Sequence, residues 1–189
     1  MKRKPFNQKH LIAVLMLGTI LFGVVSLAYV WKINAVETAQ PVSADEPLVK
    51  LYDTRGKEVG SAILTQEPDG VRLQLKVSGL APGKHGFHIH EKAFVPFDFK
   101  TAGGHFNPDG KKHGHSNPDG HHLGDMPNLE VKSDGTVEAD LLLKAATLEK
   151  SGAYSLRGKS IIIHADEDDY KTDPAGNAGD RLVGGNIPE

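Results

Sequence analysis

Histidines are concentrated in one part of the chain. All but two of the ten histidines lie between residues 85 and 122. His88 and His90 stand two positions apart in the stretch HGFHIHE. In a β-strand, side chains at i and i+2 point to the same face, so these two imidazoles project together while Phe87 and Ile89 face the other way. Because imidazole nitrogens bind Zn, Cu, Fe or Ni, the spacing predicts a metal site on a strand.

A third histidine ends another apolar run. His164 closes the stretch SIIIH, which is typical of a buried strand. Held on a rigid strand end, its imidazole can meet the pair at His88 and His90. A near-planar set of nitrogen ligands favours copper.

The segment GGHFNPDGKKHGHSNPDGHHLGD supplies a second group of candidate ligands. Three imidazoles and one carboxylate would close a tetrahedral zinc site with no open position, which is the structural kind. Because this segment cannot build a core of its own, a metal ion would order it. A lone histidine is more often solvated surface, and we favour that interpretation for His10, His115 and His121. The candidates in the segment are His105, His113, His115, His121, His122 and Asp125.

The elements that must position these residues are predicted to be strands. Period-2 alternation in VRLQLKVSGL indicates a half-buried strand, paired with EVGSAILT through Asp69-Gly70. LEVKS and TVEADLLL predict a second hairpin around Asp134-Gly135, and a short last strand is expected near Arg181. About eight strands predict an all-β fold, either a sandwich or a closed Greek-key barrel. Residues 91–128 and 165–180 have no strand pattern, and loops of that length are usually functional.

Composition and charge exclude several classes of function. The chain has no cysteine, which excludes disulfides, thiolate metal sites and cysteine nucleophiles. Its net charge is −2, but residues 1–36 hold five of the 22 cations and none of the 24 acids, so the remainder carries 17 cations, a net of −7. A body this acidic is a poor general binder of nucleic acid.

The N-terminal segment predicts export. Residues 11–31 form 21 positions without a charge, and about 20 apolar residues span a bilayer. The preceding lysines and arginine place the N-terminus in the cytoplasm and the body outside. The segment is either an uncleaved signal anchor, which we favour, or a signal peptide cut after Ala28. We divide the chain into an anchor or signal peptide (1–33), a flexible linker (34–46) and a β-barrel domain (47–189).

Several motifs together resemble the copper–zinc superoxide dismutase family. They are GFHIHE, AGGHFNP, KHG, GHHLGDMPN, IIIHADEDDY and GNAGDRLVGG, and the resemblance runs from about Leu48 to Gly185. The resemblance implies an eight-stranded Greek-key β-barrel. In this chain we expect the N-terminal apolar helix to precede the barrel. The resemblance also implies one copper and one zinc ion per subunit and dismutation of the superoxide anion to oxygen and hydrogen peroxide.

The resemblance assigns roles to individual residues. The bridging imidazole between the two metals would be His105. Asp168 would hydrogen-bond ligands of both metals, although by itself it resembles a solvated acid. Arg181 would guide the anion to copper, and His85 would be structural. The implied ligands are His88, His90, His105 and His164 for copper, and His105, His113, His122 and Asp125 for zinc.

The chain departs from the family by lacking its disulfide. Phe99 and Gly184 stand near the places of the two cysteines. Such a cross-link is worth about 3–4 kcal/mol in a chain-entropy estimate. We expect the long loop to be ordered instead by zinc, by Asp168 and by packing of Phe94, Phe97 and Phe99. The oligomeric state, including a homodimer, stays open.

Two functions remain at this point. The first is superoxide dismutation, in which Arg181, with Lys111, Lys112 or Lys171 as further candidate cations, would focus the anion despite the acidic body. The second is a non-catalytic copper- or zinc-binding protein at the cell surface, which the surplus histidines His115 and His121 and the missing disulfide favour.

Overall fold

The computed structural model describes residues 46–189. The expected N-terminal apolar helix (1–33) and the linker up to residue 45 lie outside the described residues. Within residues 46–189, no helix has the length and apolar character needed to cross a membrane.

The described chain is all-β, as predicted. Seven strands form one antiparallel sheet in the order β5-β8-β9-β1-β2-β3-β7, and β4 pairs with β6 in a second, two-stranded sheet. A short 3₁₀ helix, Phe99–Ala102, lies in the first long loop. The strands are β1 Leu48–Asp53, β2 Glu58–Glu67, β3 Gly70–Ser78, β4 Gly83–His85, β5 Phe87–His90, β6 Leu129–Val131, β7 Thr136–Lys144, β8 Ser160–His164 and β9 Arg181–Asn186.

The longest strands follow the predicted alternation. In β3, Leu73 and Leu75 are buried while Gln74 is exposed. Leu73 stands opposite Leu64 of β2 on one side and Leu141 of β7 on the other. Full burial of such a side chain contributes about 1.5–3 kcal/mol. The antiparallel pairing of β2 with β3 confirms the predicted hairpin.

The larger sheet curls around one hydrophobic core. Phe87 and Ile89 of β5, at one end of the strand order, belong to the same buried cluster as Val137 and Leu143 of β7, at the other end. Side chains from both edge strands can share one core only if the sheet bends back on itself. The curled sheet gives β5 and β8 a rigid setting from which their histidines project.

Two details differ from the sequence prediction. The described part has nine strands rather than about eight, because Gly86 separates β4 from β5. The N–H of Gly86 donates to the Asp166 carbonyl (2.8 Å), and its carbonyl accepts from His164 N–H (2.8 Å). The predicted second hairpin is wrong, since β6 pairs with β4 and β7 pairs with β3. The turn between β6 and β7 connects the two sheets, and within it Lys132 N–H donates to the Thr136 carbonyl (2.9 Å).

Candidate metal centre

The histidine pair of β5 has the predicted geometry. Phe87 and Ile89 are fully buried in the main core, and His88 and His90 are fully buried on the other face of the strand. Their ring centroids lie 6.4 Å apart. The apolar pair anchors the strand, and this fixes the position of both imidazoles.

His164 meets this pair because β8 lies beside β5. Its Nε2 is 3.4 Å from Nε2 of His90. The Nδ1 atom of His90 lies 3.0 Å from the Gly103 carbonyl, and that of His164 lies 3.2 Å from the Gly179 carbonyl. Since a carbonyl only accepts, each Nδ1 carries the proton and each Nε2 presents a lone pair. Two lone pairs facing each other suit a shared cation.

His105 brings the loop to the strands. It forms an antiparallel bridge with His90, and its ring stacks on His88 with centroids 3.8 Å apart. Ligand atoms of His88, His90, His105 and His164 all lie within 4.8 Å of one another. The structure thus brings together the four residues that the family resemblance implied for copper.

A second group surrounds Asp125. Its Oδ1 lies 2.8 Å from Nδ1 of His105, 3.1 Å from Nδ1 of His113 and 3.2 Å from Nδ1 of His122. Its Oδ2 accepts from the backbone N–H groups of Gly114 (2.9 Å) and His122 (3.1 Å). Three imidazole nitrogens therefore converge on one carboxylate.

The tightest set around this carboxylate differs in one member from the predicted zinc ligands. Ligand atoms of His88, His105, His113 and Asp125 lie within 4.8 Å of one another, whereas His122 does not belong to that set. His88 belongs to both groups, and its ring stacks on that of His105. The buried His122 ring adjoins His113 and His105, with centroids 5.6 and 5.5 Å away.

Asp168 ties the two groups together. Its Oδ2 accepts from Nε2 of His88 (2.8 Å) and its Oδ1 accepts from Nε2 of His113 (2.9 Å). Each ring therefore keeps its Nδ1 directed toward the cluster. Such outer hydrogen bonds fix the tautomer and orientation of metal-ligating imidazoles. The side chain of Asp168 is 0 % exposed, so the solvated-acid interpretation does not apply.

Asn128 positions Asp168, a role that no sequence pattern predicted. Its side-chain amide donates to the Asp168 carbonyl and accepts from Asp168 N–H, each at 2.9 Å. Its own N–H donates to the Tyr170 hydroxyl (2.6 Å). The contact spans 40 residues of sequence, so only the motif GHHLGDMPN marked this position.

Three buried nitrogens test whether the site fits metal ions. Among the described residues, His88 Nδ1, His105 Nε2 and His122 Nδ1 have no hydrogen-bond partner. Leaving one buried polar atom unpaired costs about 1–3 kcal/mol. Each of the three atoms faces a group of other potential ligands, so metal coordination would satisfy all of them. The donor set of imidazoles plus one carboxylate fits copper and zinc.

Burial keeps the four-histidine group neutral. It lowers the pKa of His105 to about 4, against the opposing effect of Asp125, and it lowers the pKa of His164 to about 3. Burial also lowers the pKa of His88 and of His90. A neutral imidazole offers the lone pair that a metal ion needs.

The acidic side of the site shows the opposite behaviour. Burial alone would raise the pKa of Asp125, but hydrogen bonds from the histidines outweigh it, and the pKa lies well below its usual range. The pKa of Asp168 is lowered in the same way. Burial lowers the pKa of His113, yet its hydrogen bonds to the two carboxylates raise it to about 9. Both carboxylates are thus ionised and attract a cation.

Arg181 lies at the start of β9, opposite His164. Its guanidinium donates to the Phe99 carbonyl (2.6 Å) and to the Gly103 carbonyl (2.7 Å). It also lines a cavity of ≈ 440 Å³ together with Lys100. Lys100 was not among the lysines predicted to lie near Arg181, because the loop conformation that brings the two residues together has no local sequence pattern.

Aromatic packing holds the disulfide-free loop. Phe94 and Phe99 meet edge to face, with centroids 4.8 Å apart, over the backbone of Gly184. A Cβ at Gly184 would lie 2.9 Å from either ring. The Asn186 side chain hydrogen-bonds both the N–H and the carbonyl of Phe94, each at 2.9 Å. Phe97 lies apart from this cluster, 41 % exposed.

The remaining histidines lie outside both groups. His85 is buried, with Nδ1 at 2.7 Å from the His164 carbonyl and Nε2 at 2.9 Å from the Ala81 carbonyl. His115 is exposed and His121 is half-buried. His10 lies outside the described residues.

Comparison with known proteins agrees with this geometry. The family model for copper/zinc superoxide dismutase matches residues 58–187. The chain is 45 % identical over 143 residues to superoxide dismutase [Cu-Zn] 2 of Aquifex aeolicus, covering 73 % of this chain and 84 % of that protein. It is 38 % identical over 135 residues to the extracellular superoxide dismutase [Cu-Zn] of Caenorhabditis elegans, covering 68 % and 60 %.

A solved structure shows the same fold. The crystal structure of a double mutant of a superoxide dismutase-like protein from Bacillus subtilis superposes with a TM-score of 0.71 at 42 % identity, covering 75 % of this chain and 97 % of that one. The curled all-β fold, the histidine-based metal groups and a match over more than half of the sequence agree, and the chain therefore belongs to the copper/zinc superoxide dismutase family.

Proposed function

We propose that this superoxide dismutase works at a copper ion and a zinc ion that share the imidazole of His105. Two superoxide anions and two protons give one dioxygen and one hydrogen peroxide. The observation that carries the proposal is the position of His105: Nδ1 lies 2.8 Å from Asp125, while Nε2 has no hydrogen-bond partner among the described residues and belongs to the four-histidine group.

Each ion has its own set of ligands in this proposal. Copper would be held by His88, His90, His105 and His164. Zinc would be held by His105, His113, His122 and Asp125. We favour His122 over His88 for zinc because its unpaired Nδ1 lies 3.2 Å from Asp125 Oδ1, whereas His88 is oriented by Asp168. One copper and one zinc ion per subunit satisfy all three unpaired nitrogens.

The side chains divide the work of the reaction. When bound, copper supplies the one-electron redox chemistry, and zinc, which has no redox chemistry, supplies charge and order. His105 would hold a proton at Nε2 and return it with the second superoxide. Asp168 keeps His88 in the tautomer whose Nδ1 faces the ligand group. His90 and His164 are kept in their tautomers by backbone carbonyls.

The approach of the anion follows from exposure and charge. His105 and His164 retain 8 % and 3 % exposure, whereas His88 and His90 retain none, so solvent reaches the group from the first two residues. Arg181 stands opposite His164. Its positive charge would attract superoxide locally, although the body is acidic.

Two measurements on the full chain test this proposal. Elemental analysis of the purified protein should find one copper and one zinc per chain, and pulse radiolysis should show rapid decay of superoxide. His105→Gln should abolish the shared site and the activity. Tight copper binding without dismutation in the native protein would support the non-catalytic metal-binding protein instead.

A charge reversal tests the role of Arg181. Arg181→Glu should slow the reaction and flatten or invert its dependence on ionic strength, since steering by charge is screened by salt. Lys76→Glu makes the same change of charge on an exposed part of β3 and should leave the rate nearly unchanged. Equal rates for both variants would contradict the steering role.

We also propose that the enzyme acts outside the cytoplasmic membrane. Support comes from the uncharged residues 11–31 and from the extracellular relative in Caenorhabditis elegans. Fractionation of cells should find the protein in the membrane if this segment is retained, or released if it is cleaved. Sedimentation of the detergent-solubilised full chain distinguishes a monomer from a homodimer.

A further inference from the structure

Two histidines outside the buried groups form a pair of their own. The ring centroids of His115 and His121 lie 5.2 Å apart, with the ring planes inclined by 56°. The buried pair His113 and His122 has a centroid separation of 5.6 Å and an inclination of 59°. The outer pair therefore has a ring separation and a tilt similar to those of the buried pair.

Backbone contacts prepare His121 for coordination. Its Nδ1 lies 2.7 Å from the carbonyl of His122. A carbonyl accepts only, so Nδ1 carries the proton and Nε2 keeps its lone pair. The carbonyls of Gly103 and Gly179 hold the buried His90 and His164 in the same way. His121 thus has the tautomer of a metal ligand without needing a metal to select it.

The surroundings leave room for water and for exchange. His115 and His121 line a cavity of ≈ 600 Å³, together with Asp109 and Lys111. His115 is exposed and His121 is half-buried, whereas His113 and His122 are buried. The opposite charges of Asp109 and Lys111 nearly offset each other, so imidazole coordination rather than net charge would attract the ion.

We propose that His115 and His121 bind a third metal ion, a divalent transition-metal cation such as zinc or copper(II), with water completing its coordination. This site goes beyond the proposed function, because it takes part in no electron or proton step. Two protein ligands in place of four make it weaker than the buried sites, and its exposure makes it exchangeable. The loop that buries His113 and His122 would thus bind an ion on its outer side as well.

Equilibrium dialysis of the copper- and zinc-loaded full chain against Zn²⁺ tests the proposal. The protein should take up one further, weakly held equivalent, which the double variant His115→Gln/His121→Gln should lose. Loss of a residue that only orients a ligand costs about 10- to 100-fold in metal affinity, so each single variant should weaken the extra equivalent at least tenfold. His10→Gln, which removes a histidine elsewhere in the chain, should retain it.

The outcomes separate this proposal from the proposed function. An extra equivalent that persists in the double variant, or none in the unaltered chain, would overturn the outer site. The two tightly held ions are counted in the same samples. If they were absent while the outer equivalent was bound and lost as expected, the shared copper–zinc site would be wrong and the outer site would stand.

Discussion

The two candidate groups are supported by different kinds of structure. His88, His90 and His164 project from β5 and β8, which are paired along their length and backed by buried Phe87 and Ile89. The other candidate ligands around Asp125 lie in the first long loop, where carboxylates and single backbone hydrogen bonds hold them. The sheet therefore positions three of the four histidines of the first group by itself, whereas the second group depends on how the loop is held in place.

The loop is attached to the sheet at two places, and each attachment has a different role. Asp168 connects His113 of the loop to His88 of β5. The phenylalanine pair at Phe94 and Phe99 attaches the start of the loop to Gly184 of β9. Loss of either attachment should disturb the loop group more than the strand group.

Removal of zinc should have the largest effect. Structural zinc contributes about 10–16 kcal/mol in zinc-finger peptides, because the binding free energy orders the chain. After chelation, hydrogen exchange should speed up at the amides of Gly114 and His122, which donate to Asp125. The β2–β3 amides serve as the internal control and should stay protected. Equal loss of amide protection in both regions would contradict the view that the loop group depends on zinc more than the strands do.

Phe99→Ala should destabilise the metal-free protein by about 3–5 kcal/mol, the usual cost of removing a buried phenylalanine. Phe99 is 4 % exposed. Urea denaturation measures the loss. Phe97→Ala is the matched control in the same loop, and because Phe97 is 41 % exposed it should cost far less. Similar losses for both variants would show that the aromatic pair does not fasten the loop.

Asp168→Asn should lower zinc affinity about 10- to 100-fold, since an amide cannot accept from both His88 and His113 with its single oxygen. Competition with a chromophoric chelator measures the change. Asp169→Asn is the neighbouring control, because Asp169 binds only residues of its own loop, among them Thr172 and Asn177. An unchanged affinity in Asp168→Asn would exclude the connecting role.

Asn128→Ala should have the smallest effect of the four. It removes two hydrogen bonds to the backbone of Asp168, each worth about 0.5–1.5 kcal/mol. The carboxylate itself remains, so zinc affinity should fall less than in Asp168→Asn. Asn128→Asp, which keeps the acceptor but loses the donor, should fall between Asn128→Ala and the unaltered chain. A larger loss than in Asp168→Asn would place the positioning role on Asn128 itself.

The sequence predicted those parts of the site that rest on local periodicity. Alternation at HGFHIHE was sufficient to place His88 and His90 on one face of a strand and Phe87 and Ile89 on the other. The β2–β3 hairpin followed from the same signal. The second hairpin was wrong because β6 and β7 alternate correctly but pair with strands distant in sequence.

Contacts across long stretches of sequence could not be predicted in this way. Nothing near Asp168 indicates that it lies against His88, 80 residues earlier, and the family resemblance alone suggested it. Asn128 was marked only as the last residue of the motif GHHLGDMPN, and Lys100 gave no local signal. The exposure of Phe97, expected to pack with Phe94 and Phe99, likewise depends on the path of the loop.

The aromatic attachment at Gly184 has a consequence for where the enzyme can mature. A disulfide is formed by an oxidant and can be broken by a reductant, whereas the packing of two phenylalanine rings against Gly184 responds to neither. The attachment of the first loop should therefore be equally strong in a reducing and in an oxidising compartment.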